Sequence, residues 1–261
     1  LGGVTTLTAN GGTYGSAGDA TIGSSTSLSS SSSYPTAFGN YWYQDWQQYL
    51  FTKAELNAAG ITSAGNITSL KLTIAATNNP STAIADYNVK IASTSNTALS
   101  AFTTSGLTNV FGPASVTGVV GVNTITFSTP YVWDGVSNII VDIRETASYG
   151  SGNATTYYTS TTNNSVLYAY SSSSNATFWS SSPTPTTSTS RPNVTFGYSS
   201  SIPTVFSWAT NTTDLYTTND TSVGYTNENI STVYSKSTSP QTYTVTSTLG
   251  SCSSSAEVTV T

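Results

Sequence analysis

The sequence has no histidine, no methionine and one cysteine, and charged residues fill only 7% of its 261 positions. Each shortage excludes something. Without histidine there is no Ser-His-Asp or Cys-His arrangement, no usual general base at neutral pH and no imidazole metal ligand. Cys252 has no second cysteine to bond with, so no internal disulfide staples the chain, and its expected role is that of a small buried thiol. Scarce oxidisable sulfur suits exposure outside the cell. The six Lys and Arg are dispersed and the net charge is -5, so the basic patch that neutralises phosphates is missing, which excludes nucleic acid and anionic membrane surfaces as partners. No apolar run approaches the ~18 to 20 residues that span a bilayer, so no transmembrane segment is expected. The opening Leu1-Gly2-Gly3 carries no leader and reads as the start of a processed or excised chain.

Ser, Thr, Asn and Gly fill the space that charge leaves. With 36% apolar residues and 17 tyrosines the chain still has material for a core, and tyrosine favours strands. Thr52-Lys53-Ala54-Glu55 forms a capping box, Leu56 and Ala59 are apolar, and Gly60 is a stop, which predicts one short helix. Elsewhere the period is two. Leu70, Leu72 and Ile74, then Tyr87, Val89 and Ile91, then Ile125 and Phe127, then Ile139, Val141 and Ile143 alternate with polar residues, each set predicting a strand with one buried face. Asp134-Gly135 reads as a turn between Tyr131-Val132-Trp133 and the run from Ile139. Further strands are expected at Thr156 to Thr159, Val166 to Tyr170 and Asn193 to Tyr198. Short strands without a βαβ rhythm predict an all-β, antiparallel sandwich. A boundary is expected at Ser199 to Pro203, giving a sandwich over 1–198 and a small immunoglobulin-like sandwich over 199–261 built on Phe206, Trp208, Val233, Tyr243, Val258 and Val260.

The stretch Gln48-Tyr49-Leu50-Phe51-Thr52-Lys53-Ala54-Glu55-Leu56, the phrase Asn123-Thr124-Ile125-Thr126-Phe127-Ser128-Thr129-Pro130-Tyr131-Val132-Trp133-Asp134-Gly135 and the closing Arg191-Pro192-Asn193-Val194-Thr195-Phe196 resemble a domain recurring in secreted proteins of Bacteroidetes. The terminal part, with Thr242-Tyr243-Thr244-Val245-Thr246 and Gly250-Ser251-Cys252-Ser253, resembles the Ig-like repeats that often follow it. The resemblance implies a jelly-roll-like β-sandwich joined to an Ig-like one within large cell-surface proteins. Many of these are exported by type IX secretion, and some are adhesins of gliding bacteria.

Four constellations bear on function. Asp142, Arg144 and Glu145 are the closest charges, but alternation puts Asp142 and Arg144 on one strand face and Glu145 on the other, so an exposed ion pair is expected rather than a catalytic acid pair. Asp19, Asp45, Asp86 and Asp134 sit among polar loop residues of the kind that hold Ca²⁺. Asp45, embedded among aromatics, is the candidate ligand, against the alternative of turn-forming Asp residues. Tyr41, Trp42, Tyr43 and Trp46 are the candidate ligand-binding residues: the cluster is either core or a platform on which sugar rings stack. Asn-x-Ser/Thr triplets, Asn66, Asn153 and Asn163 among them, are candidate glycan acceptors. The expected function is a non-catalytic extracellular module acting as adhesin, spacer or filament component. Its partners would be surface glycans, other surface proteins or copies of itself; the alternative is a carbohydrate-binding accessory module of a secreted enzyme.

Overall fold

The computed structural model describes residues 3–9, 14–32, 35–39, 41–77, 83–147, 152–175, 177–202, 205–209, 212–249 and 252–261. The chain begins with β1 (Thr5–Thr8), β2 (Tyr14–Ile22), β3 (Ser27–Leu28) and β4 (Gln44–Phe51), followed by the short helix α1 (Lys53–Ala58). Next come β5 (Gly65–Ala76), β6 (Ile84–Thr94), β7 (Thr108–Val116), β8 (Gly121–Trp133), β9 (Asn138–Thr146), β10 (Thr155–Ser160) and β11 (Val166–Ser171). Then follow β12 (Thr186–Ser188), β13 (Ser190–Pro192), β14 (Val194–Ile202), β15 (Val205–Ala209), β16 (Leu215–Tyr216), β17 (Thr232–Ser235), β18 (Gln241–Leu249) and β19 (Cys252–Val260). The protein is all-β, and the strand pairings described in register are antiparallel. The side chain of Cys252 lies outside the described ones.

Two compact units divide the chain, Ala17–Ser200 and Leu1–Ser16 with Ser201–Thr261. The larger is a two-sheet sandwich. One sheet runs β13-β10-β5-β14-β2, with β8 along the other edge of β5 and β3 beside β10; its partner runs β12-β11-β4-β9-β6-β7. Leu70, Leu72 and Ile74 of β5 meet Tyr87, Val89 and Ile91 of β6 and Ile139, Val141 and Ile143 of β9 in one core, all at most 1% exposed. The period-two pattern therefore sets the inward face of each strand.

The smaller unit packs β1-β17-β16 with β15-β18-β19 around Leu7, Trp208, Leu215, Val233 and Tyr243. Whereas the sequence division places residues 1–198 together, Thr5 to Thr8 pair with Ser235 to Thr232, so this unit is assembled from both ends of the chain. Leu7 is the one buried residue of β1, too little for sequence periodicity to register.

Two local readings change. Asp134 turns the chain, its carboxylate accepting from Val136 N and Ser137 N at 2.9 and 2.8 Å, and Gly135 takes φ +80° where a Cβ would stand 2.7 Å from Ala64 N. The turn makes no hairpin, because β8 lies in the first sheet and β9 in the second. Likewise β9 buries both faces, since Ile140 and Asp142 are as buried as Ile139 and Val141. A loop after β6 brings Leu99 and Phe102 over its outward side, and another after β11 brings Phe178 over Trp46 of the neighbouring β4.

The helix forms as its capping box dictates. Thr52 Oγ1 accepts from Glu55 N at 3.2 Å and the Glu55 carboxylate accepts from Thr52 N at 2.8 Å. Thr52→Ala is expected to lower stability by about 1 kcal/mol in chemical denaturation, the usual cost of a lost N-cap.

Candidate functional site

The aromatic cluster lies at the entrance to β4, a central strand flanked by β11 and β9, and the position explains why all eight β4 residues are buried. Alternation then sorts them. Asp45, Gln47, Tyr49 and Phe51 face the inter-sheet core, while Gln44, Trp46, Gln48 and Leu50 face the loops that cover the outer side.

Trp46 is fully buried. Its ring is flanked by Phe102, stacked at 4.0 Å, and by the Arg144 guanidinium at 4.1 Å, and its Nε1 donates to Asp142 at 2.6 Å. Asp142 also accepts from Gln48 Nε2 at 2.7 Å and from Arg144 Nε at 2.8 Å. The Asp142–Arg144 pair therefore shares one face as expected, but it is not exposed: Asp142 is at 0%. The two covering loops enclose it.

Trp42 behaves differently. It is half-buried, stacks parallel to Tyr170 with centroids 5.1 Å apart and planes at 2°, and meets Tyr41 edge-on at 4.8 Å. Tyr170 is 46% exposed. Tyr41 and Tyr43 are half-buried beside them. Of the four aromatics singled out from sequence, Trp46 is core, and Tyr41, Trp42 and Tyr43 reach the surface. Tyr170 joins them there. It comes from β11, where its Cα sits opposite Asp45, and only cross-strand register brings it there.

Asp45 does not lie in a polar loop. It is a β4 residue, 1% exposed, with Glu145 directly across the β4–β9 ladder. Gln47 Nε2 donates to both Asp45 oxygens at 2.9 Å, and Gly39 N donates to Glu145 Oε1. The close acid pair is thus Asp45 with Glu145, since neighbours on a strand point apart and neighbours across a ladder point together. Burial first, and then the Asp45 carboxylate, push the Glu145 carboxyl well above the usual range. These carboxyls are buried, whereas the acids of glycoside hydrolysis stand on a reachable surface. Among the described residues no group of three or more Asp, Glu, Cys or His side chains is placed to hold a metal.

Three glutamines fasten the surroundings, and the sequence reading assigns them no role. The Gln48 amide bonds both ways with Thr103, Nε2 to its carbonyl at 2.7 Å and Oε1 from its N–H at 2.9 Å. Gln47 does the same with Thr36, and Gln44 Oε1 accepts from Asn175 N at 2.8 Å. Amides within a buried strand were the available signal, because a buried amide must find partners. Asn153 is buried as well and accepts from Tyr41 N at 2.9 Å, which removes it as a glycan acceptor in the folded chain.

A second concavity belongs to the smaller unit, a cavity of about 410 Å³ lined by Leu7, Phe206, Trp208, Val245, Ala256 and Val258. No helix among the described residues is long and apolar enough to cross a membrane. No protein-family model and no curated protein matches the chain.

Proposed function

We propose that the chain is a non-catalytic contact module of a large exported cell-surface protein, an adhesin whose platform of Trp42, Tyr170 and Tyr41 binds neutral glycans. The stacked Trp42–Tyr170 pair at the surface carries the reading: it offers apolar ring area where the chain has almost no charge to offer instead. The resemblance to jelly-roll-like and Ig-like modules of Bacteroidetes surface proteins, extracellular and type IX-exported, supports it. A module appended to a secreted enzyme would use the same platform, and the domains neighbouring it in the full gene product distinguish the two roles.

Titration with soluble neutral polysaccharides, followed by tryptophan fluorescence and preceded by a glycan array, tests the platform. Trp42→Ala and Tyr170→Ala are each expected to weaken binding tenfold or more, about 1.4 kcal/mol or above for a lost stacking surface. The dissociation constant should change less than about threefold between low and high salt, because few charges take part. A flat array, or binding that both variants retain, removes the glycan reading. Self-association is favoured by a separate observation: β19 ends its sheet with nine residues, of which Ser253 to Thr259 are exposed, so its outer edge is a template for a further strand. Light scattering that stays monomeric over a concentration series excludes it.

A further inference from the structure

Glu145 is fully buried, and its Oε2 has no hydrogen-bond donor among the described residues although it faces Asp45 directly across the β4–β9 ladder. Two facing carboxylate oxygens are both acceptors, so the contact holds only with something positive between them, and a proton is the smallest such thing. We propose that Asp45 and Glu145 share one proton, and that this proton fastens the segment carrying Tyr41 and Trp42, so that rising pH loosens the platform. Its effect on binding rests on Trp42 and Tyr170 being the contact surface.

The segment leading into β4, residues 35–39 and 41–43, is laced to this pair and its neighbours. Gly39 N donates to Glu145. Thr36 N donates to Gln47, whose amide in turn holds Asp45. Phe38 O accepts from Ala154 N at 3.2 Å, Thr36 Oγ1 donates to Ala154 O at 2.9 Å, and Tyr43 O accepts from Ala147 N at 2.8 Å. Tyr41 and Trp42 follow closely after Gly39 in the chain, so a displaced Glu145 carboxylate pulls on the backbone from which the platform rises. The other titratable groups around the pair are phenols. Tyr49 of β4 and Tyr87 of β6 are kept neutral by burial and by the neighbouring carboxyls. Tyr170 of β11 sits opposite Asp45 in register, and Tyr41 and Tyr43 come from the segment itself. The charged Asp142–Arg144 pair stands on the opposite face of the sheet.

The sign follows from the Glu145 carboxyl titrating above its unfolded range. The native state keeps a proton that the unfolded chain releases near pH ~4.3, so stability is fullest below that pH and falls as pH rises through the native titration. In the Glu145→Gln variant the new side-chain amide copies the protonated acid, donating to Asp45 and still accepting from Gly39 N.

The melting temperature of the whole chain, read from about pH 5 to about pH 9, is expected to fall for the wild type by roughly 3–5 °C per pH unit while the proton is lost. Glu145→Gln should stay flat and melt above the wild type at the alkaline end. In infrared difference spectra the wild type should keep the carbonyl band of a protonated carboxyl at neutral pH, and the variant should lack it. That band needs no variant to fold. A wild type with no such band, or a Glu145→Gln variant with the wild-type slope, overturns the proposal. So does a melting temperature at pH 8 that rises on adding CaCl₂ in the wild type alone, which would make the pair a cation site. Neutral-polysaccharide binding that weakens with pH in the wild type but not in Glu145→Gln supports the link to the platform. Failure to bind at every pH, with the slope intact, counts against the glycan reading and leaves the shared proton standing.

Discussion

Trp46→Ala is expected to lower the melting temperature of the larger unit by roughly 6–20 °C, while Trp42→Ala, four residues earlier, moves it by no more than a few degrees. The asymmetry comes from environment, since the lost side chain is the same. Trp46 is at 0% exposure with a stacked phenyl ring and a guanidinium each about 4 Å from its ring, and its N–H is one of the donors that satisfy the buried Asp142 carboxylate. Truncating a buried tryptophan costs about 3–5 kcal/mol. Here a lost donor to a buried anion adds to that. In a unit of this size each kcal/mol is worth about 2–4 °C. Trp42 is half-buried and loses mainly its stack on Tyr170, about 0.5–1.5 kcal/mol. Thermal melts followed by circular dichroism check this. Equal losses at the two positions would mean that Trp42 is core, and the surface platform would fall with it.

The two tryptophans also mark how far the sequence could be read. Alternation places Trp42 and Trp46 on one side of an extended strand, yet β4 begins only at Gln44, so Trp42 lies outside the ladder that would have fixed its direction. The inward faces of β5, β6, β8 and β9 were legible, because period-two alternation and a dry core are the same fact seen twice. So was α1, whose capping box is a local arrangement. What escaped was decided by pairing between distant segments. Asp45 meets Glu145 across a ladder 100 residues wide, Tyr170 reaches Trp42 through β11, and Thr5–Thr8 joins Thr232–Ser235. The Asp134-Gly135 turn was visible and its destination was not, since a tight turn serves a hairpin and a crossing between sheets equally well.

Arg191→Met is expected to cost about 1–3 kcal/mol, the loss typical of leaving buried hydrogen-bond acceptors without their donor. Arg191 is 4% exposed and joins three elements. From β13 its Nη2 donates to Glu55 Oε1 of α1 at 2.5 Å, its Nη1 donates to the Leu50 carbonyl of β4 at 2.5 Å, and its guanidinium lies 4.3 Å over the Phe51 ring. Methionine fills similar volume but leaves the Leu50 carbonyl and the Glu55 carboxylate without the donor that held them. Burial alone would raise the Glu55 carboxyl, and hydrogen bonds from Arg191 and Thr52 outweigh it, leaving Glu55 below the usual range. A depressed carboxyl adds stability above its unfolded titration and loses it as pH falls, so the wild type should show an acid limb below pH ~4.3 that Arg191→Met flattens. Glu55→Gln keeps a capping side chain at the helix start and an oxygen for Arg191 to donate to, but it takes the counter-ion from a guanidinium that is 4% exposed, so it too should destabilise. The double variant should cost less than the sum of the two single changes, since each has already removed the shared ion pair. Additive losses in chemical denaturation would show instead that Arg191 acts through Leu50 and Phe51 alone, with the ion pair contributing nothing.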